Sequence, residues 1–126
     1  DRLLDIHGET DMAEKRKADL LQGTLDMLIL KSLIEGPRHG YGVAKWIQVT
    51  TKNALLIEEG SLYPALHRMQ KRGWIKSEWG LSESNRRAKY YELTSPGRTQ
   101  LKSEVQAWSH LVDAISLVLN SNLAEA

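Results

Sequence analysis

Apolar residues recur at helical spacing in four stretches and at period two in two more. Leu21, Leu25, Leu28, Ile29 and Leu33 fall at i, i+4, i+7, i+8 and i+12, a wide apolar face that stops at Gly36-Pro37. His39-Gly40-Tyr41-Gly42 opens a second helix running to about Thr51, with Val43, Trp46 and Ile47 facing inward and His39 as a cap or exposed residue. Asn53 to Ile57 read as a short extended segment. In the third helix Leu62, Leu66 and Met69 form a stripe with Ala65 beside it. Ser61 is the N-cap candidate, and Pro64 then falls in the first turn, where a missing N–H costs little. Glu58 and Glu59 suit the positive end of that helix, and Lys71, Arg72 and Gly73 suit its C-terminal stop. Its polar face carries Pro64, His67, Arg68 and Lys71, with Tyr63 on the flank.

A hairpin follows without a linker. WIKSEW (Trp74–Trp79) places Ile75 and Trp79 on one face and Lys76 and Glu78 on the other; AKYYELT (Ala88–Thr94) repeats the alternation with Tyr91 and Leu93. The intervening GLSESNRR is polar and ends in Arg86 and Arg87. A helix that fits a major groove, joined to a basic ribbon able to reach the neighbouring backbone, gives an α+β, mostly α, winged helix-turn-helix. The plainer alternative is a small α+β domain with an incidentally basic surface.

Thr94 or Ser95 caps the last helix, whose apolar seam is Leu101, Val105, Trp108, Val112, Ile115 and Leu119. Spacings of 4, 3, 4, 3 and 4 make a 3.5-residue repeat, as in a helix packed along a partner helix. Leu111, Leu117 and Val118 widen the face beyond what one partner covers. The expectation is a homodimer in which this helix meets the first helix of the other subunit, so that Leu21 and Leu25 join the seam. The alternative is an intrachain cover for the wing and first helix. The chain then divides into residues 1–11, a vector remnant or disordered extension, residues 12–95, the winged-helix domain, residues 96–120, the dimerisation helix, and a frayed tail over 121–126.

Composition sharpens this picture only when charge is split along the chain. The net charge is +1, but residues 12–98 carry 15 Lys and Arg against 9 Asp and Glu, or +6, while residues 1–11 carry −3 and residues 99–126 carry −2. The excess sits where phosphate neutralisation requires it. With no cysteine there is no disulfide framework or thiol nucleophile. The four histidines, His7, His39, His67 and His110, lack ligand spacing, and neither a Gly-rich phosphate loop nor GxSxG occurs, so no enzyme, metal or cofactor is expected. The apolar runs are too short for a membrane span and no signal peptide is visible, which predicts a cytoplasmic protein.

From Gln22 to Trp108 the blocks QGTLDMLILKSLIEGPRHGYGVAKWI, EEGSLYPALHRMQKRGWI, RRAKYYELTSPGR and AW follow in order. They resemble the PadR family of bacterial transcriptional regulators, in the compact branch with a single C-terminal helix, over about two-thirds of the chain. The resemblance implies sequence-specific binding of double-stranded operator DNA, and its most secure positions are Tyr63 and the basic wing tip. It also implies that the Tyr41 hydroxyl approaches a phosphate, although by chemistry alone Tyr41 is as well read as a core-edge tyrosine. Base-edge candidates are Tyr63, Pro64, His67 and Arg68; phosphate candidates are Ser61, Lys71, Arg86, Arg87, Lys89 and Tyr90. For Tyr63, packing against the wing is the rival role. The tryptophan matching Trp108 stacks flat aromatic drugs between subunits in the compact branch; the rival role is filling the interface. A winged-helix protein-interaction module that never meets DNA is the alternative function.

Overall fold

The computed structural model describes residues 24–122. Leu21 and the 1–11 segment lie outside these residues. Helix α1 is described over residues 24–32 and is followed by β1 (Arg38–His39), α2 (Gly40–Thr50), α3 (Glu59–Lys71), β2 (Ile75–Leu81), β3 (Arg87–Leu93) and α4 (Ser95–Leu119). The three strands form one antiparallel sheet in the order β1-β3-β2. The mixed α+β winged helix-turn-helix expected from the periodicities is the fold observed.

The core lies where the helical stripes meet the inner face of the sheet. Leu25, Ile29, Leu30 and Leu33 of α1 and its C-terminal turn meet Val43 and Ile47 of α2, the Leu62, Ala65, Leu66 and Met69 stripe of α3, Ile75, Tyr91 and Leu93 of the sheet, and Leu101 of α4. Burial of each large side chain contributes about 1.5–3 kcal/mol. Two expectations change here. Leu25 (1 % exposed) and Leu101 (6 % exposed), expected at a subunit interface, are spent on the chain's own core and present no surface to a partner. Arg38 ties β1 to the end of α1, its Nε donating to the Ser32 carbonyl at 2.7 Å while its guanidinium lies 5.7 Å from the Trp46 ring centre.

Each helix boundary has a local cause. Nδ1 of His39 accepts from the Gly42 N–H at 3.0 Å and caps α2, one of the two roles its position suggested. After α2, Lys52 (φ 52°) and Asn53 (φ 68°) turn the chain in the left-handed region, so the expected extended segment is instead a turn followed by irregular chain. Helix α3 begins at Glu59 with Glu58 at the cap and no side-chain cap bond. Ser61 is therefore inside the first turn and is not the cap, and Pro64 sits within the helix. Proline removes the bond to the Gly60 carbonyl; Gly60 and Pro64 are both exposed, so water can take that place. Gly73 (φ +78°) closes α3 with the Gly73 N–H bonded to the Gln70 carbonyl and the Trp74 N–H to the Met69 carbonyl, a Schellman ending. Thr94 caps α4 by accepting from the Gly97 N–H at 3.1 Å, and its hydroxyl also lies 2.6 Å from the Gly73 carbonyl and 2.8 Å from that of Trp74.

Candidate nucleic-acid interface

The β2–β3 register sets what the wing offers. Ile75 pairs with Leu93, Ser77 with Tyr91, Trp79 with Lys89 and Leu81 with Arg87. Directly opposed residues share a face, so one face of the ribbon runs from buried Ile75, Leu93 and Tyr91 outward to Trp79, Lys89, Leu81 and Arg87. The alternation placed Trp79 beside Ile75 correctly, but the core stops short of it and Trp79 is 58 % exposed. At the tip, the Ser82 N–H bonds to the Arg86 carbonyl at 2.8 Å and the Asn85 N–H to the Ser82 carbonyl at 2.9 Å. Asn85 holds the left-handed position (φ 60°) that such a three-residue loop needs.

Between this face of the wing and the N-terminal parts of α2 and α3 lies an open groove of about 640 Å³. Tyr63 lines it from α3, Tyr41 and His39 from the start of α2, and Trp79, Arg87 and Lys89 from the wing. Tyr63 is 44 % exposed and its ring lies directly over Gly40, where a Cβ would stand 2.8 Å from Cε1. Glycine at position 40 is thus a close-approach requirement. The neighbouring Tyr91 hydroxyl has its pKa raised, first by burial and then by Tyr63, so it stays protonated at neutral pH. The groove is aromatic on its helical side and cationic on its wing side, with Glu83 at the tip as its acid.

Of the predicted DNA-contacting residues, Tyr41, Tyr63, Arg86, Arg87 and Lys89 line this groove. Ser61, Pro64, His67 and Lys71 are exposed along α3, and Arg86 is exposed at the wing tip. Arg87 lies 4.5 Å from the Trp79 ring centre and Lys89 lies 6.0 Å from it. Tyr41 is 68 % exposed, so it is no core-edge residue. Two expectations fail. Arg68 is ion-paired with Asp26 of α1, so its guanidinium braces α3 against α1 instead of reaching a base. Tyr90 sits on the opposite face of the wing, over Gly80, and its hydroxyl donates to the Leu81 carbonyl at 2.9 Å, which uses the proton a phosphate would accept. Sequence reasoning overlooked His39 as a groove residue and Trp79 as the platform beneath Arg87. The signal for Trp79 was its cross-strand pairing with Lys89.

Beyond Leu101, α4 carries Val105, Trp108, Leu111, Val112, Ile115, Leu117, Val118 and Leu119 exposed. Intrachain cover of this face is therefore excluded among the described residues. No group of histidine and acidic side chains among them is placed to hold a metal ion, and no described helix is long and apolar enough to cross a membrane.

The pattern of the Transcriptional regulator PadR-like family matches residues 29–103, which hold the end of α1, the groove, the wing and the start of α4. The chain belongs to that family. A PadR family transcriptional regulator from Eggerthella lenta is similar at 31 % identity, with a TM-score of 0.74 over 92 % of this chain and 99 % of that one. A transcriptional regulator from Clostridium thermocellum is 36 % identical, with a TM-score of 0.72 over 78 % of this chain and 95 % of that one. An uncharacterized protein X of Lysinibacillus sphaericus is 31 % identical over 103 residues, 82 % of this chain and 94 % of its own. The protein is thus a PadR-family transcriptional regulator, not an enzyme, and DNA is its partner.

Proposed function

We propose that the regulator is a repressor that binds a palindromic operator as a homodimer, with one α3 in the major groove of each half-site. The observation that carries this reading is the meeting of Tyr63 of α3 with the cationic side of the wing in one groove. Tyr63, Pro64 and His67 face base edges, while Lys71, Arg86, Arg87 and Lys89 neutralise phosphates and the Tyr41 hydroxyl donates to one. A twofold dimer sets half-site centres about 10 bp apart. The reading of α4 as the dimerisation helix is supported by its exposed seam of Val105, Trp108, Val112, Ile115 and Leu119, an apolar surface of a kind that isolated soluble chains seldom leave open. Trp108, facing its copy across the axis, offers π surface to a planar aromatic effector. Such a ligand releases DNA only by favouring a subunit arrangement that misfits the operator.

Reversing Arg86 and Arg87 to glutamate tests the reading. Both lie at the wing tip, on different elements from the α4 seam, so the dimer measured by sedimentation is expected to persist while DNA binding is lost. For each phosphate contact removed, the slope of log affinity against log salt falls by about one. Unchanged DNA affinity would remove the wing tip from the contact surface and overturn this reading.

A further inference from the structure

Trp79 stands out on the wing. Large aromatic side chains generally find cover, yet this indole is 58 % exposed, past the point where the core of the sheet face ends. What lies against it is charge: the Arg87 guanidinium at 4.5 Å and the Lys89 ammonium at 6.0 Å from the ring centre. The register explains the cluster, because Lys89 is the direct cross-strand partner of Trp79 and Arg87 the diagonal one, all on the groove side of the ribbon. A cation held against a π face keeps its N–H edges outward and loses rotamer freedom before any ligand arrives. No carboxylate forms an ion pair with either cation among the described residues.

We propose that Trp79 is a positioning residue for DNA binding: its ring holds Arg87, and secondarily Lys89, in the orientation in which the wing meets phosphates. The inference rests on the reading that the wing contacts DNA. Arg87 is the contacting group, and Trp79 removes part of the ordering cost that a free arginine would meet on binding. Because phosphates are involved, the effect is the same on any sequence, and no operator need be known.

The test is anisotropy of the full chain with a labelled random-sequence duplex of about 24 bp over a series of salt concentrations. Arg87→Ala is expected to weaken binding and lower the salt slope by about one. Trp79→Leu, which keeps apolar bulk without a π face, is expected to weaken it roughly two- to fivefold, and Trp79→Phe to restore most of that loss. In an Arg87→Ala background, Trp79→Leu should cost less than twofold more. Wild-type affinity in Trp79→Leu, or an equal loss with and without Arg87, would overturn the inference, the latter by making Trp79 act on DNA or on the fold directly. Binding that needs Arg86 and Arg87 but ignores Trp79 sinks this inference alone. A wild-type chain that binds no duplex at low salt sinks the wing reading and this inference with it.

Discussion

Gly97 is the point at which the last helix is fixed to the body, and Gly97→Ala is expected to be the costliest glycine-to-alanine change within a helix of this chain. A Cβ there would stand 2.0 Å from the Trp74 carbonyl oxygen and 2.9 Å from Leu93 Cδ1. The first obstacle is backbone, so relief requires α4 to withdraw by more than 1 Å (an ordinary contact begins near 3.4 Å). Overpacking of this kind costs about 1–3 kcal/mol. Withdrawal also strains the Thr94 bonds to the Gly73 and Trp74 carbonyls, which adds about 1 kcal/mol. Alanine's better helix propensity offsets at most about 1 kcal/mol, leaving a net loss of about 1–3 kcal/mol. Gly60→Ala in α3 is the control: nothing lies within 4 Å of its Cβ position, so the same change should stabilise by up to about 1 kcal/mol. Urea unfolding at one protein concentration measures both, and at slopes of about 1–3 kcal/mol/M the two midpoints should move in opposite directions. A Gly97→Ala midpoint at or above that of the wild type would refute the packing described for the root of α4.

Gly40→Ala should leave the thermal midpoint within a few degrees, because the clash is with the movable Tyr63 ring. DNA affinity should fall on the order of tenfold as that ring is displaced, measured by anisotropy. Asp26→Ala leaves the half-buried Arg68 guanidinium without its carboxylate, and chemical unfolding should show a loss of about 1–2 kcal/mol. Tyr91 has a folded-state pKa above the ordinary 10.0, so its stabilising contribution is complete below pH 10 and lost as pH rises through the folded value. Urea midpoints should therefore fall as pH rises above about 10, and less steeply in Tyr91→Phe.

What could be read from sequence was whatever depends on residues close together in the chain. The Leu62, Leu66 and Met69 stripe, the Gly73 stop and the Thr94 cap all lie where periodicity and capping chemistry put them. Long-range partners were hidden. Arg68 read as a free cation on a polar helix face because Asp26 lies 42 residues away. Alternation told which face of β2 Trp79 occupies but not how far along that face the core reaches. The same difficulty affected α4: a 3.5-residue repeat runs unbroken through Leu101 and Val105, although the first is buried in the chain's own core and the second is exposed. Ser61 has the chemistry of a cap, but α3 begins at Glu59, ahead of it, and the exposed Pro64 does not prevent this.

The most direct measurement is binding of the purified protein to the DNA upstream of its own gene, by anisotropy at two salt concentrations with random-sequence competitor present. The account predicts tight binding that weakens with salt, survives the competitor and is lost with Arg86 and Arg87 reversed. Binding to that DNA no tighter than to the competitor, and insensitive to those reversals, would contradict it.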